Sequence, residues 1–565
     1  MWLPVLGLLG AVACSVANYS HSLTNVSLDM DIAPSMQWFK GAATLTMKRI
    51  RNERVMVLDC GKFHVTKITC LEQDVQFRQF PGRVEVLVEK ADPVIVIQVA
   101  YKGSFDSNSS IRMVPDHNGL PSFHFIQDGR NLFPCPDVNT SQFTFAASIR
   151  VPGSLSVIFS ASLDSYENHT FHYKQDNPVT TSQLAMAVGR ISHHNIAYGT
   201  LYVETVSQTA ALAYLSRWKE LMDTKEATFR RERGLSVLVM PSSYPQPYAA
   251  YENLILVNSE LVTEDQSHLP VLIRAIATSI TIGLRASVED RWLKEGLINW
   301  IERKMLHHVV DPSLAQHVAL RAWEKEFSTN SIYSTTAERA FAMFIRLESL
   351  IGLEMFTNFM TTFISRNMFI TPGNLRSEML KVFHNLPCID KLRRFPWDEW
   401  CSPGQMPDIP HYRDTLSAAP LKLAISWLNN KVPIDSQFAN LNSVQRSLLF
   451  DLLLSDHSRL TPATIYQMDS IYSPSFSPDP VIRSKWFVLL ARTRSYKCYE
   501  QLHSGLLTLN MAEHCIPVYV ELRADTQYEW SASALEKFHE HRKLLHVSVS
   551  KVLKRLNPSP KRACL

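Results

Sequence analysis

The hydrophobic period of this chain changes along its length, and that change limits its fold more than any other feature. From about residue 20 to 205 apolar residues alternate with polar ones: Val26, Leu28, Met30 and Ile32, then Ala43, Leu45 and Met47, then Val84, Val86 and Val88. The more fully apolar run Val94 to Val99 follows, and later Phe143, Phe145 and Leu155, Val157, Phe159. Period two puts successive side chains on opposite faces of a sheet, and Pro81-Gly82 and Pro152-Gly153 supply turns between strands. This first third is expected to be an antiparallel β domain.

After about residue 207 the period becomes helical. Leu212, Tyr214 and Trp218 begin one helix, Val237 to Met240 and Leu254 to Val257 make short strands, and Pro270 opens a helix expected to run to Leu284. Its successor, Trp292 to Leu306, carries Leu293, Leu297 and Ile301 at i+4 spacing. From Pro420 onward every segment reads as helix, with Thr461-Pro462 as an N-cap followed by proline and Ser533 with Glu536 as a capping box. At 565 residues the chain exceeds what one core holds. The expected organisation is a leader over 1–17, a β domain over 18–206, an α/β domain over 207–400, a linker over 401–418, a helical superhelix over 419–556 and a basic tail over 557–565.

The start of the chain bears on location. Trp2 to Cys14 is an apolar run too short to span a bilayer, and Ser15-Val16-Ala17 offers a signal-peptidase site before Asn18, although no Lys or Arg precedes the run. Glycosylation sequons at Asn18, Asn25, Asn108, Asn139 and Asn168 all lie in the first third, which agrees with export. The expectation is a secreted protein or a lumenal one of the secretory pathway, with a cytoplasmic protein bearing a greasy first strand as the alternative. No other stretch resembles a transmembrane helix. A net charge of +4 is too mild to argue for nucleic acid. The cluster Lys551, Lys554, Arg555, Lys561 and Arg562 reads as a solvated tail. Nine cysteines show no ligand spacing; Cys60 and Cys70 flank one short segment and could pair in an exported chain. His539-Glu540-His541 has Lys543 where a second metal-spaced histidine would stand, and reads as helix surface.

Five stretches, in order, resemble the leukotriene A4 hydrolase, aminopeptidase B and aminopeptidase O branch of the M1 zinc metallopeptidases. They are Gly129 to Asp137, the loop Tyr244 to Asn253 ending Ala249-Ala250-Tyr251-Glu252-Asn253, the helix Trp292-Leu293-Lys294-Glu295-Gly296, the helix from Phe341 through Gly352, and Trp397 to Pro403 with Ala424 to Trp427. The resemblance implies a multidomain α+β protein: an N-terminal antiparallel β domain, a thermolysin-like α/β middle domain and a C-terminal all-α helical superhelix. It also implies a zinc held by two histidines four apart on one helix and a glutamate on the next, with a glutamate beside the first histidine as general base.

Those residues are missing here. No histidine lies between His268 and His307. Placing Gly283 on the family's glycine puts Ala275 and Ser279 at the histidine positions and Ile276 at the base. An ungapped count back from Glu295 gives Leu272, Ile273 and Ile276 instead. Ala, Ser or Ile cannot replace imidazole as zinc donors. The family's catalytic tyrosine falls on Ala337, with Tyr333 one turn upstream, and the basic residues that hold a substrate carboxylate in leukotriene A4 hydrolase align near Met511 and Glu513. Glu252, with its neighbour Asn253, matches the glutamate that binds a substrate's amino terminus, and Glu295 matches the third zinc ligand. A carboxylate kept without its metal needs a cation or a proton; Arg274, Arg285 and Arg291 are the candidates beside Glu295.

The reading is a member without zinc or peptidase activity, with no cofactor expected, acting as a scaffold or holding a peptide or protein ligand in the old cleft. Its alternatives are a working zinc aminopeptidase or epoxide hydrolase with unrecognised ligands, and a purely structural partner.

Overall fold

A computed structural model of the protein describes residues 19–33, 38–88, 92–104, 112–115, 121–136, 141–204, 207–229, 234–328, 335–366, 369–404, 411–433, 435–495, 498–524, 541, 545 and 547–556. The expected leader, Asn18, Asn108, Asn139, Tyr333, Ser533, Glu536, the pair His539-Glu540, the middle of the linker and the basic tail lie outside these residues. The chain forms two compact units, one ending at Arg190 and the other starting at Ile191.

The first unit is built on an eight-stranded sheet. Its strands include β1 (His21–Ala33), β2 (Trp38–Arg49), β3 (Phe63–Cys70), β4 (Val94–Ser104), β5 (Phe143–Arg150), β6 (Ser162–Glu167) and β7 (Thr170–Val179). The spatial order is β6-β7-β5-β1-β2-β4-β3, closed by the short strand Gln73–Asp74. All neighbours are antiparallel except β1 and β5, which run parallel with Val26 opposite Phe145. The alternating residues Val26, Leu28, Met30 and Ile32 are buried as their spacing requires, against Leu45, Met47, Val84 and Val86. The stretch from Gly129 does local work. Asp128 caps the turn Gly129–Asn131 and pairs with Arg130 at 2.6 Å. Tyr101 donates to Leu132 O at 2.6 Å, and Cys135 exchanges both backbone bonds with Asp59. Cys60 and Cys70 stand as separate thiols. They flank the length of β3, an extended strand of about 3.3 Å per residue, so their Cα atoms are too far apart for a disulfide.

The second unit opens with β8 (Ser192–Ile196) and β9 (Gly199–Val203). The sequence reading counts both in the first domain, because their period matches that of the strands before them. Yet Leu201 lies opposite Val237, in a five-stranded sheet of order β8-β9-β10-β12-β11 with β10 (Ser236–Met240), β11 (Tyr248–Ala250) and β12 (Leu254–Asn258). Strands β9, β10 and β12 are parallel and apolar in their buried parts apart from Asn258, as covered parallel strands should be. Three helices matter for the site: α1 (Leu269–Ile280), α2 (Arg291–Met305) and α3 (Ala337–Ile351). Helix α1 stops at Ile280, short of the expected Leu284, where the chain leaves the helix through the turn closed by Leu284 N to Thr281 O.

Helices α1 and α2 and strand β11 pack as neighbours, and α2 lies along α3. Gly296 permits the last of these contacts. A Cβ there would stand 2.2 Å from Ala340 Cβ and 2.8 Å from Ala337 O. Gly296→Ala is therefore expected to destabilise the unit by about 1–3 kcal/mol through overpacking, despite alanine's better helix propensity. A denaturation midpoint equal to the parent's would show that α2 and α3 can separate freely.

Among the described residues beyond 411 the secondary structure is helical, around Trp427, Phe450, Trp486 and Phe487. Thr461 caps its helix through Thr464 N, as its sequence predicts. Helix α4 (Pro480–Arg492) starts at Asp479, whose carboxylate accepts from Val481 N and Ile482 N and from Ser443. The same carboxylate lies 3.1 Å from His268 Nε2, tying α4 to the start of α1. Burial works against ionising Asp479, but the bonds to His268, Ser443 and Val481 outweigh it and hold the carboxyl at about 2. A carboxyl depressed in the folded state adds stability above its unfolded value of about 3.9, and that stability is lost as pH falls toward 2. Asp479→Asn is thus expected to cost about 2 kcal/mol at neutral pH. The gap to the parent should close in acid, as denaturant titrations at a series of pH values would show.

Candidate functional site

Helix α1 is apolar nearly all round. Leu272, Ile273, Ala275, Ile276 and Ala277 are fully buried. Both alternative registers of the lost ligand helix therefore place aliphatic side chains in the core. Ser279 is the one polar residue among those positions, and its hydroxyl is spent on Ile276 O at 2.7 Å within the helix. Ala337 is the first residue of α3, half-buried, after the N-cap Thr336.

Arg274 is the exception on α1. Its guanidinium crosses to α2, where it donates to Asn299 Oδ1 at 2.9 Å and to Glu302 Oε2 at 2.5 Å. The same group lies 3.7 Å from Glu295 Oε2, and Arg291 lies 3.5 Å from Glu295 Oε1 from one turn earlier on α2. The expected pairing of Glu295 with arginine is present, with Arg274 and Arg291 as partners. Arg285 is elsewhere, stacked over Phe369 at 4.5 Å. Burial weakens the charge of Arg274, but Glu302, Tyr248 and Glu295 more than restore it and raise its affinity for the proton. Glu302 is pushed up by burial, which Arg274 and Arg303 oppose. Next to Glu295 in the chain, Lys294 donates to Leu284 O at 2.8 Å, and burial lowers its amine to about 8.

The network continues one layer deeper. Glu338 of α3 takes both Arg303 nitrogens at 2.6 and 2.7 Å and Asn299 Nδ2 at 2.8 Å, with Arg303 lying 4.1 Å over the Phe341 ring. The sequence reading missed Asn299, Glu302, Arg303 and Glu338. Their signal was present, because Glu295, Asn299 and Glu302 recur at i, i+4 and i+7 on one face of α2.

Glu252 and Asn253 sit in the turn joining β11 to β12, half-buried; Asn253 O accepts from Ser236 N at 2.9 Å. Strand β11 packs on α1, so the turn belongs to the same neighbourhood. In the helical part, Met511 is buried and its N–H donates to Glu260 Oε2 at 3.0 Å, with Asn510 N at 2.8 Å and His514 Nδ1 2.6 Å from Oε1. The positions aligned with a substrate-carboxylate site thus hold a carboxylate of the chain itself. Glu513 lies beside His514 at 3.8 Å. His541 is buried between Tyr519 and Asn510, so it is no surface residue.

The positions that the resemblance assigns to zinc offer few metal donors. Glu295 is the sole carboxylate at the three family positions, with Arg291 3.5 Å and Arg274 3.7 Å from its oxygens. Among the described residues no three His, Cys, Asp or Glu side chains gather as metal ligands. If Glu295 is only a half-exposed ion-pair partner, Glu295→Gln should change stability by no more than about 1 kcal/mol. A loss of several kcal/mol in a denaturant titration would instead reveal a structural anchor.

Residues 441–556 match the family profile described as Leukotriene A4 hydrolase, C-terminal. The chain is 24% identical over 520 residues to the leukotriene A-4 hydrolase of Xenopus laevis, covering 84% of this chain and 83% of that protein. It is 22% identical over 465 residues to leucine aminopeptidase 2 of Aspergillus oryzae, covering 74% of each. In structure it shares the fold of native yeast LTA4 hydrolase, with a TM-score of 0.82, 18% identity and 95% of both chains covered. The order of β domain, α/β domain and helical domain is therefore that of the leukotriene A4 hydrolase fold. The C-terminal part thus matches the leukotriene A4 hydrolase family model, and the chain as a whole is similar to leukotriene A4 hydrolases and M1 aminopeptidases in sequence and fold.

Proposed function

We propose that this protein is a non-catalytic member of the family, which binds no zinc and cleaves no peptide, and that its cleft serves to hold the free amino terminus of a peptide or protein at Glu252. The observation that carries the reading is Arg274. Its guanidinium supplies to Glu295 and Glu302 the positive charge that an α2 carboxylate otherwise draws from a metal. The aliphatic side chains at the remaining ligand positions, and the hydroxyl of Ser279 closed on the backbone, support it as well. Loss of the metal removes the Lewis acid and the activated water that hydrolysis in this family needs. Binding an ammonium group needs only a carboxylate, which Glu252 provides.

The chain is further proposed to enter the secretory pathway, on the strength of its apolar start and its sequons. No helix among the described residues is long and apolar enough to cross a membrane.

The binding reading is tested with a library of short peptides carrying free or acetylated amino termini. Free-amine peptides should bind and their acetylated forms should not. Glu252→Gln should weaken binding by roughly 10- to 100-fold, the loss of a charge-assisted hydrogen bond. Equal binding of acetylated and free peptides, or indifference to Glu252→Gln, would refute it.

A further inference from the structure

Strand β6 forms one edge of the eight-stranded sheet and pairs only with β7 among the described strands. An edge strand offers a row of unpaired backbone groups to any other strand it meets. This one is also apolar where it should be polar. Leu163 is 48% and Tyr166 51% exposed, and Tyr166 lies over Phe171 with ring centroids 4.5 Å apart. A bulge between Leu163 and Ser165 interrupts the pairing but leaves both side chains outside.

The turn that follows is Asn168-His169, a two-residue loop between paired Glu167 and Thr170, with φ of 49° and 62°. Two positive φ values mark the tight hairpin loop that asparagine tolerates best after glycine. Asn168 is exposed at its tip, its amide has no hydrogen-bond partner among the described residues, and Thr170 completes a sequon. Asn25, the other described sequon asparagine, is placed differently. It lies mid-strand on β1, between β2 and β5, and its amide donates to Thr144 Oγ1 at 2.8 Å.

We infer that Asn168 carries an N-linked glycan, and that this glycan shields the β6 edge from pairing with other chains. The inference rests on entry into the secretory pathway. In the lumen, a lipid-linked oligosaccharide diphosphate donates its sugar. The bond from sugar C1 to phosphate breaks, a bond from C1 to Asn168 Nδ2 forms, Nδ2 releases a proton and the lipid diphosphate leaves. A branched polar chain rooted one residue beyond β6 then covers the edge that bears Leu163 and Tyr166.

The test expresses the full chain in secreting animal cells, once with its own first residues and once behind a strong foreign leader. Peptide mapping after enzymatic deglycosylation, which converts a glycosylated asparagine to aspartate, reads occupancy at Asn168. Occupancy in both forms is expected. Thr170→Val removes the sequon yet keeps Asn168 in its turn, and Asn168→Asp keeps a residue that accepts positive φ. Both should lose the glycan and show a several-fold rise in aggregated over monomeric protein. Leu163→Thr with Tyr166→Thr in the same background should reverse that rise. An empty Asn168 behind both leaders overturns the site. Occupancy behind the foreign leader alone overturns entry of the natural chain, and the glycan with it. Occupancy with no change in aggregation overturns the shielding role.

Discussion

Replacing Glu338 by alanine is expected to destabilise the second unit by about 3–5 kcal/mol, the largest effect of any single change at the site. The carboxylate and its partner Arg303 are both buried, at 5% and 7% side-chain exposure. Removing one leaves the other as a charge in the core without its counter-ion. Asn299 would also lose the acceptor for its amide. Replacing the pair together by Leu and Met should cost much less, because a buried ion pair gains little over apolar residues of similar size. The pair is thus expected to show strong coupling in a double-mutant cycle read by denaturant midpoints. Additive losses would mean that Arg303 and Glu338 do not act on each other.

Arg274→Ala is expected to follow at about 2–3 kcal/mol, below the fully buried case because a third of the arginine side chain is exposed. Glu302, with 8% side-chain exposure, would be left with Arg303 as its nearest positive charge. It should then take up a proton more readily, since burial already pushes it in that direction. The sign of the pH dependence follows. A carboxyl raised in the folded state disfavours folding as pH rises through the unfolded value of about 4.3. The variant should therefore lose more stability at pH 7 than at pH 4, and Arg274→Ala with Glu302→Gln should recover part of the loss. A stability deficit that is flat in pH would show that Glu302 finds another cation.

The sequence made the broad architecture and part of this site legible. Alternation at Val26 to Ile32, the i+4 stripe of Leu293, Leu297 and Ile301, and the cap at Thr461 each reflect local geometry, and local geometry is what a single chain displays. The pairing of Glu295 with Arg274 and Arg291 was accessible for a similar reason, since a partly buried carboxylate draws a cation and few cations lie near. The boundary after Arg190 was not accessible. Strands β8 and β9 have the same period as those before them, and only the pairing of Leu201 with Val237 assigns them to the second sheet. The partners Glu260 with His514 and His268 with Asp479 were hidden by separations of more than two hundred residues. The length of α1 was overestimated because apolar residues continue past Ile280 into a turn.

Together these contacts describe a site whose charges are already balanced by the protein. Glu295 meets two arginines, Glu302 meets Arg274, and Glu338 meets Arg303 and Asn299. The α1 positions that would complete a metal shell are packed with aliphatic groups or closed on the backbone. Under the proposed reading, Glu252 in its turn keeps the recognition of an amine after hydrolysis is gone.

The most direct test is elemental analysis of the full chain, purified without chelators or metal-affinity resin, combined with assay of aminoacyl amide hydrolysis. The account predicts zinc far below one atom per chain, even after incubation with the ion, and no hydrolysis. One tightly held zinc per chain, with amide cleavage that disappears on chelation and returns with the metal, would contradict it.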